Sequence, residues 1–220
     1  MSRWQLHIAV LLAAGVFMGQ VPVEASTKTA EAVLESLAVK GRAPKTGYER
    51  SQFGPAWSDV DRNGCDTRND ILYRDLTSIV FKSGTRDCVV LSGVLVDPYS
   101  GEKISFERGV KSSMDVQIDH VVALSNAWQT GAFKLSYEKR REFANDPMNL
   151  LAVKGRLNSQ KGDGDAATWL PPRKEIRCAY VSQQIVVKAK YDLWVTSPEK
   201  AAMLRILGSC KNTARLKYDT

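Results

Sequence analysis

Histidine is almost missing from this chain: only His7 and His120 occur in 220 residues. His7 lies in a leader-like N-terminal stretch, so the folded part would own a single imidazole. That excludes a tris-histidine zinc site and any reaction needing two imidazoles, and it places chemistry by a near-neutral base on His120. Cysteine is sparse too. Cys65, Cys88, Cys178 and Cys210 have no CxxC spacing and no histidines around them, which argues against zinc and for two disulfides. Of the possible pairings, Cys65 with Cys88 and Cys178 with Cys210 is favoured because each pair flanks one compact segment; each bridge would contribute about 3 kcal/mol by constraining the unfolded chain. No Pro-rich or Gln-rich tract and no internal repeat is visible. The long apolar run after Arg3, IAVLLAAGVFMG, is too short to read as a membrane span. With VPVEAS behind it, it reads as a signal peptide over 1–25, cut after Ala25, with an uncleaved N-terminal anchor as the plain alternative. The mature protein is therefore expected to be secreted or periplasmic, with no transmembrane domain.

What remains is ordinary globular material with a basic bias. Lys and Arg number 31 against 24 Asp and Glu, a net charge of +7. The leader carries one charge of each sign, Arg3 and Glu24, so its loss leaves that balance unchanged. Such a surplus suits a polyanion such as nucleic acid, with a solvated basic surface as the plain alternative. Hydrophobic residues make up 44% of the chain, enough for one real core. The spacing predicts an N-terminal helix over 29–41 on an arm that continues through the turn-rich RAPKTGYERSQFGPAW. A short helix follows near 69–76, with Asp66 or Thr67 as its N-cap. SIVF and CVVLSGVLVDPYSGEKISFE read as strands with a hairpin turn at DPYSG. VQIDHVVAL and MNLLAV read as two more apolar strands, KGRLNSQKGDGDAATWLPP as a polar excursion, and CAYVSQQIVVKAKYDLWV and PEKAAMLRILGSC as helices. One α+β domain over 59–212, preceded by a helix and arm over 26–58 and followed by a tail over 213–220, is the economical organisation.

Within VQIDHVVAL, Asp119 and His120 set an acid and an imidazole at the mouth of an apolar run. DHVVAL, then FANDPMNLLAV, then LNSQKGD resembles the core of the HNH, or His-Me finger, nucleases. The wider string, from DRNGCDTRNDIL to the last cysteine, looks like the exported HNH endonuclease family of bacteria. The resemblance implies a ββα-metal core: two strands, a loop between them and a helix around one divalent ion. In it His120 is the general base, Asp119 and Asn158 hold the metal, and Asn149 pins the loop through backbone hydrogen bonds. Asn158 stands where other branches of the family carry a histidine. A carboxylate and an amide oxygen are hard ligands, suited to Mg²⁺, or to another divalent cation such as Mn²⁺ or Ca²⁺, rather than zinc. The chemistry fits phosphodiester hydrolysis, where a base deprotonates water and a cation offsets charge on the phosphoryl oxygens.

Neighbouring side chains on a regular strand face opposite ways, so Asp119 and His120 reach one site only if the strand breaks there, and such a break is predicted. Lys161 and Arg68 are candidate phosphate contacts, Arg68 at a helix N-terminus. Asp163 and Asp165 read as turn formers and caps, and Trp169, beside LPP, as a core aromatic. The function expected is an exported, metal-dependent endonuclease acting on DNA, and on RNA as a second substrate class, with little sequence preference. The competing reading is a non-catalytic exported module that binds polyanions or envelope polymer on the same scaffold.

Overall fold

The computed structural model describes residues 29–109 and 114–210; the expected leader (1–25) and the tail (213–220) lie outside the described residues. Helix α1 (Ala30–Ser36) starts where the Thr29 hydroxyl accepts from the Ala32 N–H. It stops well short of Gly41. The backbone after it is taken by a strand-like pairing instead: Val39 bridges Val195, the Lys40 N–H donates to the Val195 carbonyl at 3.0 Å, and the Val195 N–H donates to Ala38 at 3.0 Å. A β-branched residue with a ready partner strand favours the extended form over another helical turn.

Helix α2 (Thr67–Asp75) is capped by Asp66, whose carboxylate accepts from the Asn69 N–H at 2.9 Å. The chain passes directly into β1 (Leu76–Phe81), which joins β2 (Val90–Val96) and β3 (Lys103–Glu107) in an antiparallel sheet of order β1-β2-β3. The Cys65–Cys88 disulfide ties the start of α2 to the entry of β2, and Cys178–Cys210 ties the start of α6 (Arg177–Lys190) to the end of α7 (Ser197–Leu207).

The β2–β3 hairpin turn is built by Asp97. Its Oδ2 accepts from the Ser100 N–H and hydroxyl, while its Oδ1 accepts from the Lys154 N–H at 2.8 Å on another sheet. Gly101 closes the turn at φ 80°, where a side chain would be strained. The turn thereby delivers Tyr99, fully buried, into the centre of the molecule.

That second sheet is a pair: β4 (Val116–His120) runs antiparallel to β5 (Leu150–Lys154). Val116, Ile118, Leu150 and Ala152 pack with Ile71, Leu72 and Phe106, whereas Val121 and Val153 belong to a second core with Tyr99, Tyr180 and Ile185. Between β4 and β5 run α3 (Leu124–Gln129) and α4 (Tyr137–Asn145), and β5 leads straight into α5 (Gly155–Lys161). The front of the expected polar excursion is therefore helical. Its few apolar positions concealed it: besides Leu157, which packs on the core that holds Val153, α5 meets β4 through Asn158 and Lys161, and Gly155 comes so close that a Cβ would lie 2.0 Å from the Met114 carbonyl.

Candidate functional site

His120 is the last residue of β4, opposite Leu150. Its Nε2 lies 2.8 Å from the Ala144 carbonyl at the end of α4. A carbonyl only accepts, so this contact puts the ring proton on Nε2 and leaves Nδ1 as a free acceptor. The residue is 9% exposed. Burial lowers its pKa from 6.5 to about 4, with the Arg50 and Lys161 cations pulling the same way and the Ala144 bond opposing them. His120 is therefore neutral through the physiological range.

The imidazole faces a cleft of about 150 Å³ lined by Arg50, Phe53, Trp57, Leu124 and Asn145. The Trp57 indole lies alongside it, planes 12° apart and centroids 6.1 Å apart. The Asn145 amide donates to the Arg141 carbonyl at 2.9 Å, while its buried Oδ1 has no partner among the described residues. Arg50, Trp57 and Asn145 escaped the sequence reading. The arm showed only turn residues, and nothing local in RSQFGPAW connects it to a histidine so far along the chain.

Asn149 locks the connection between the strands. Its Oδ1 accepts from the Val122 N–H at 2.8 Å, and its Nδ2 donates to the Val122 and Phe143 carbonyls at 3.3 and 3.4 Å. The Val121 N–H donates to the carbonyl of Asn149 itself at 2.8 Å. The exit of β4 and the end of α4 are thus held by one fully buried side chain, which also fixes the Ala144 carbonyl against His120.

Asp119 is elsewhere. β4 does end at His120, but its last pairs, Asp119 with Leu151 and His120 with Leu150, keep regular register, so the two side chains leave opposite faces. The predicted break that would bring them together is absent. Asp119 is buried, and both oxygens are taken: Oδ2 accepts from the Tyr99 hydroxyl at 2.6 Å and Oδ1 from the Lys161 ammonium at 2.9 Å. Burial raises its pKa, opposed by Lys161 and Tyr99. Asn158 sits on the same side as Asp119 but turns to Gln117, donating Nδ2 to Oε1 at 2.9 Å. A divalent ion does not fit this set. Its would-be carboxylate ligand is already neutralised by an ammonium, and a second cation beside that ammonium would be repelled. Among the described residues no cluster of three or more His, Cys, Asp or Glu side chains offers an alternative.

The two phosphate candidates make contacts within the protein. Lys161 has no exposed side-chain surface and spends its ammonium on Asp119 and, at 2.8 Å, on the His120 carbonyl. Arg68, half-buried, donates to the Val116 carbonyl at 3.4 Å. Trp169 packs edge-on against Tyr99 and Tyr180, and Asp163 and Asp165 anchor the N-terminal arm through Lys45 at 2.6 Å and Arg42 at 2.7 Å.

Fold and site together define a disulfide-braced α+β protein in which a strand-end histidine, held in one tautomer, opens onto a small cleft. Residues 66–206 match the GmrSD restriction endonuclease C-terminal domain, and the chain belongs to that nuclease-related family. It is also 38% identical over 210 residues, 92% of this chain and 98% of the relative, to an "Uncharacterized secreted protein" of Arthroderma benhamiae. No solved structure matches.

Proposed function

We propose that the protein is an exported endonuclease of the His-Me finger type, with β4, β5 and α5 as the strands and helix of its core and His120 as the base that deprotonates water for attack on a phosphodiester. The observation that carries this is the placement of His120: Nε2 is committed to Ala144, which leaves the Nδ1 lone pair available on a ring that lines the cleft. A pKa of about 4 keeps the ring neutral and ready. An anionic phosphate entering beside it offsets the Arg50 charge and raises its proton affinity at the moment a proton must be accepted. The membership in a restriction endonuclease family supports nucleic acid, DNA first, as substrate. The relative's name and the two disulfides support export. No helix among the described residues is long and apolar enough to cross a membrane.

No step is assigned to a cation held by Asp119 and Asn158, which do not form a site as they stand. The test is incubation of the purified protein with supercoiled plasmid, with Mg²⁺ or with chelator, beside His120→Ala. Nicking by the native protein in at least one condition, lost on substitution, is expected. Retardation of the plasmid without cutting under every condition refutes the hydrolase and leaves a polyanion-binding module.

A further inference from the structure

Arg50–Trp57 lies outside the family-matched stretch, yet it walls the His120 cleft. It is fixed at both ends. Phe53 is buried, with ring centroids 5.9 Å from Phe143 and 6.4 Å from Trp128, and the Arg140 guanidinium donates to the Gln52 carbonyl at 2.7 Å. At the far end the Thr67 hydroxyl donates to the Ser58 carbonyl at 2.5 Å. Gly54, at φ 80°, lets the chain pass against Arg141, whose side-chain carbons lie 3.0 to 3.3 Å from where a Cβ would stand.

Between those anchors Trp57 takes a left-handed φ of 59°, which bulky residues rarely adopt. Backbone held in that region between two firm attachments serves the placement of the side chain it carries. The half-buried indole runs nearly parallel to the imidazole with the cleft open beside it. Arg50 stands exposed on the same wall, and among the described residues no carboxylate pairs with it. An aromatic plane and an unneutralised guanidinium flanking a base are the two groups that an unstacked nucleotide needs, one for its ring and one for its phosphate.

We infer that the arm is the substrate-positioning wall of the cleft: Arg50 takes the phosphate beside the scissile bond and Trp57 stacks on the adjoining base, so the site accepts single-stranded DNA in preference to intact duplex. In duplex the base already stacks on its neighbours and must be unpaired first, which disfavours it. This rests on the nuclease reading above, and its test separates the two.

Cleavage of a short fluorescein-labelled single strand, and of the same strand in a blunt duplex, is followed with the full chain, alongside equilibrium binding by anisotropy in the inactive His120→Ala background. Trp57→Leu is expected to raise KM and Kd for the single strand by on the order of tenfold, with Trp57→Phe recovering most of the loss. Arg50→Gln is expected to flatten the salt dependence of binding. Native-like KM and Kd in Trp57→Leu, or a native preference for duplex, overturns the inference even if cleavage is robust. Binding through Trp57 without any cleavage refutes the nuclease and leaves the wall standing. Arg50 is exposed and its variant carries no folding risk, so native salt dependence in Arg50→Gln overturns the inference whether or not Trp57→Leu folds.

Discussion

Replacing Lys161 by Met tests the assignment of the Asp119 face as structural. The substitution nearly conserves volume and deletes two contacts, 2.9 Å to the Asp119 carboxylate and 2.8 Å to the His120 carbonyl. Both ionised groups of the pair are inside, with side-chain exposures of 0% and 4%, so solvent cannot replace the lost ammonium. Breaking a buried pair from one side typically costs about 3–5 kcal/mol, because the remaining charge is stranded. Asp119→Asn in the same chain removes that charge, and the double variant is expected to regain at least half of the loss. Urea unfolding of the native chain, both single variants and the double variant closes the cycle. A loss below about 1 kcal/mol in Lys161→Met, or a double variant no better than the single, refutes the reasoning. Magnesium supplies an independent check, since a cation bound to Asp119 in the native protein would raise its melting temperature with concentration, and on this reading it does not.

Two further outcomes follow from the same side chains. His120 has a folded pKa of about 4 against about 6.5 unfolded, so its neutral burial contributes stability that is fully present above pH 6.5 and lost as pH falls toward 4. The loss amounts to about 3 kcal/mol; urea midpoints between pH 4 and 7.5 should show it, and His120→Gln should remove that part of the slope. Asn149→Ala strands the buried Val122 N–H and frees two carbonyls, at a cost of about 2–3 kcal/mol. Thermal melting measures the total, and faster hydrogen exchange at the Val122 amide locates it.

The elements legible in the sequence were those whose signals are local. Asp66 before a short apolar repeat marks α2, DPYSG marks the hairpin turn, and the apolar runs mark β1 to β5. An even number of cysteines with no metal-like spacing pointed to the two bridges that form. α1 was overextended because its end is set by a partner strand at Val195, a contact that no window around Val39 contains. For the site, composition isolated His120, but the environment that defines it arrives from Ala144, Asn145 and the arm at 50–57. The motif grouped Asp119, His120 and Asn158 by spacing. Spacing does not say which face of a strand a side chain leaves, and the regular register of β4 against β5 decides that.

The division between the faces of β4 explains why an acid and an imidazole can stand side by side in an apolar strand. Asp119 turns inward to Tyr99 from the hairpin turn and Lys161 from α5, so one carboxylate joins three elements distant in sequence. His120 turns outward to the cleft, where its ring is anchored by α4 and faced by the arm. The two faces are coupled through Lys161, which grips both the Asp119 side chain and the His120 carbonyl. Loss of Asp119 therefore acts on His120 through the backbone that carries it. A drop in cleavage on changing Asp119 is by itself no sign of a metal ligand; the two roles part company only in whether added cation restores what the substitution removed.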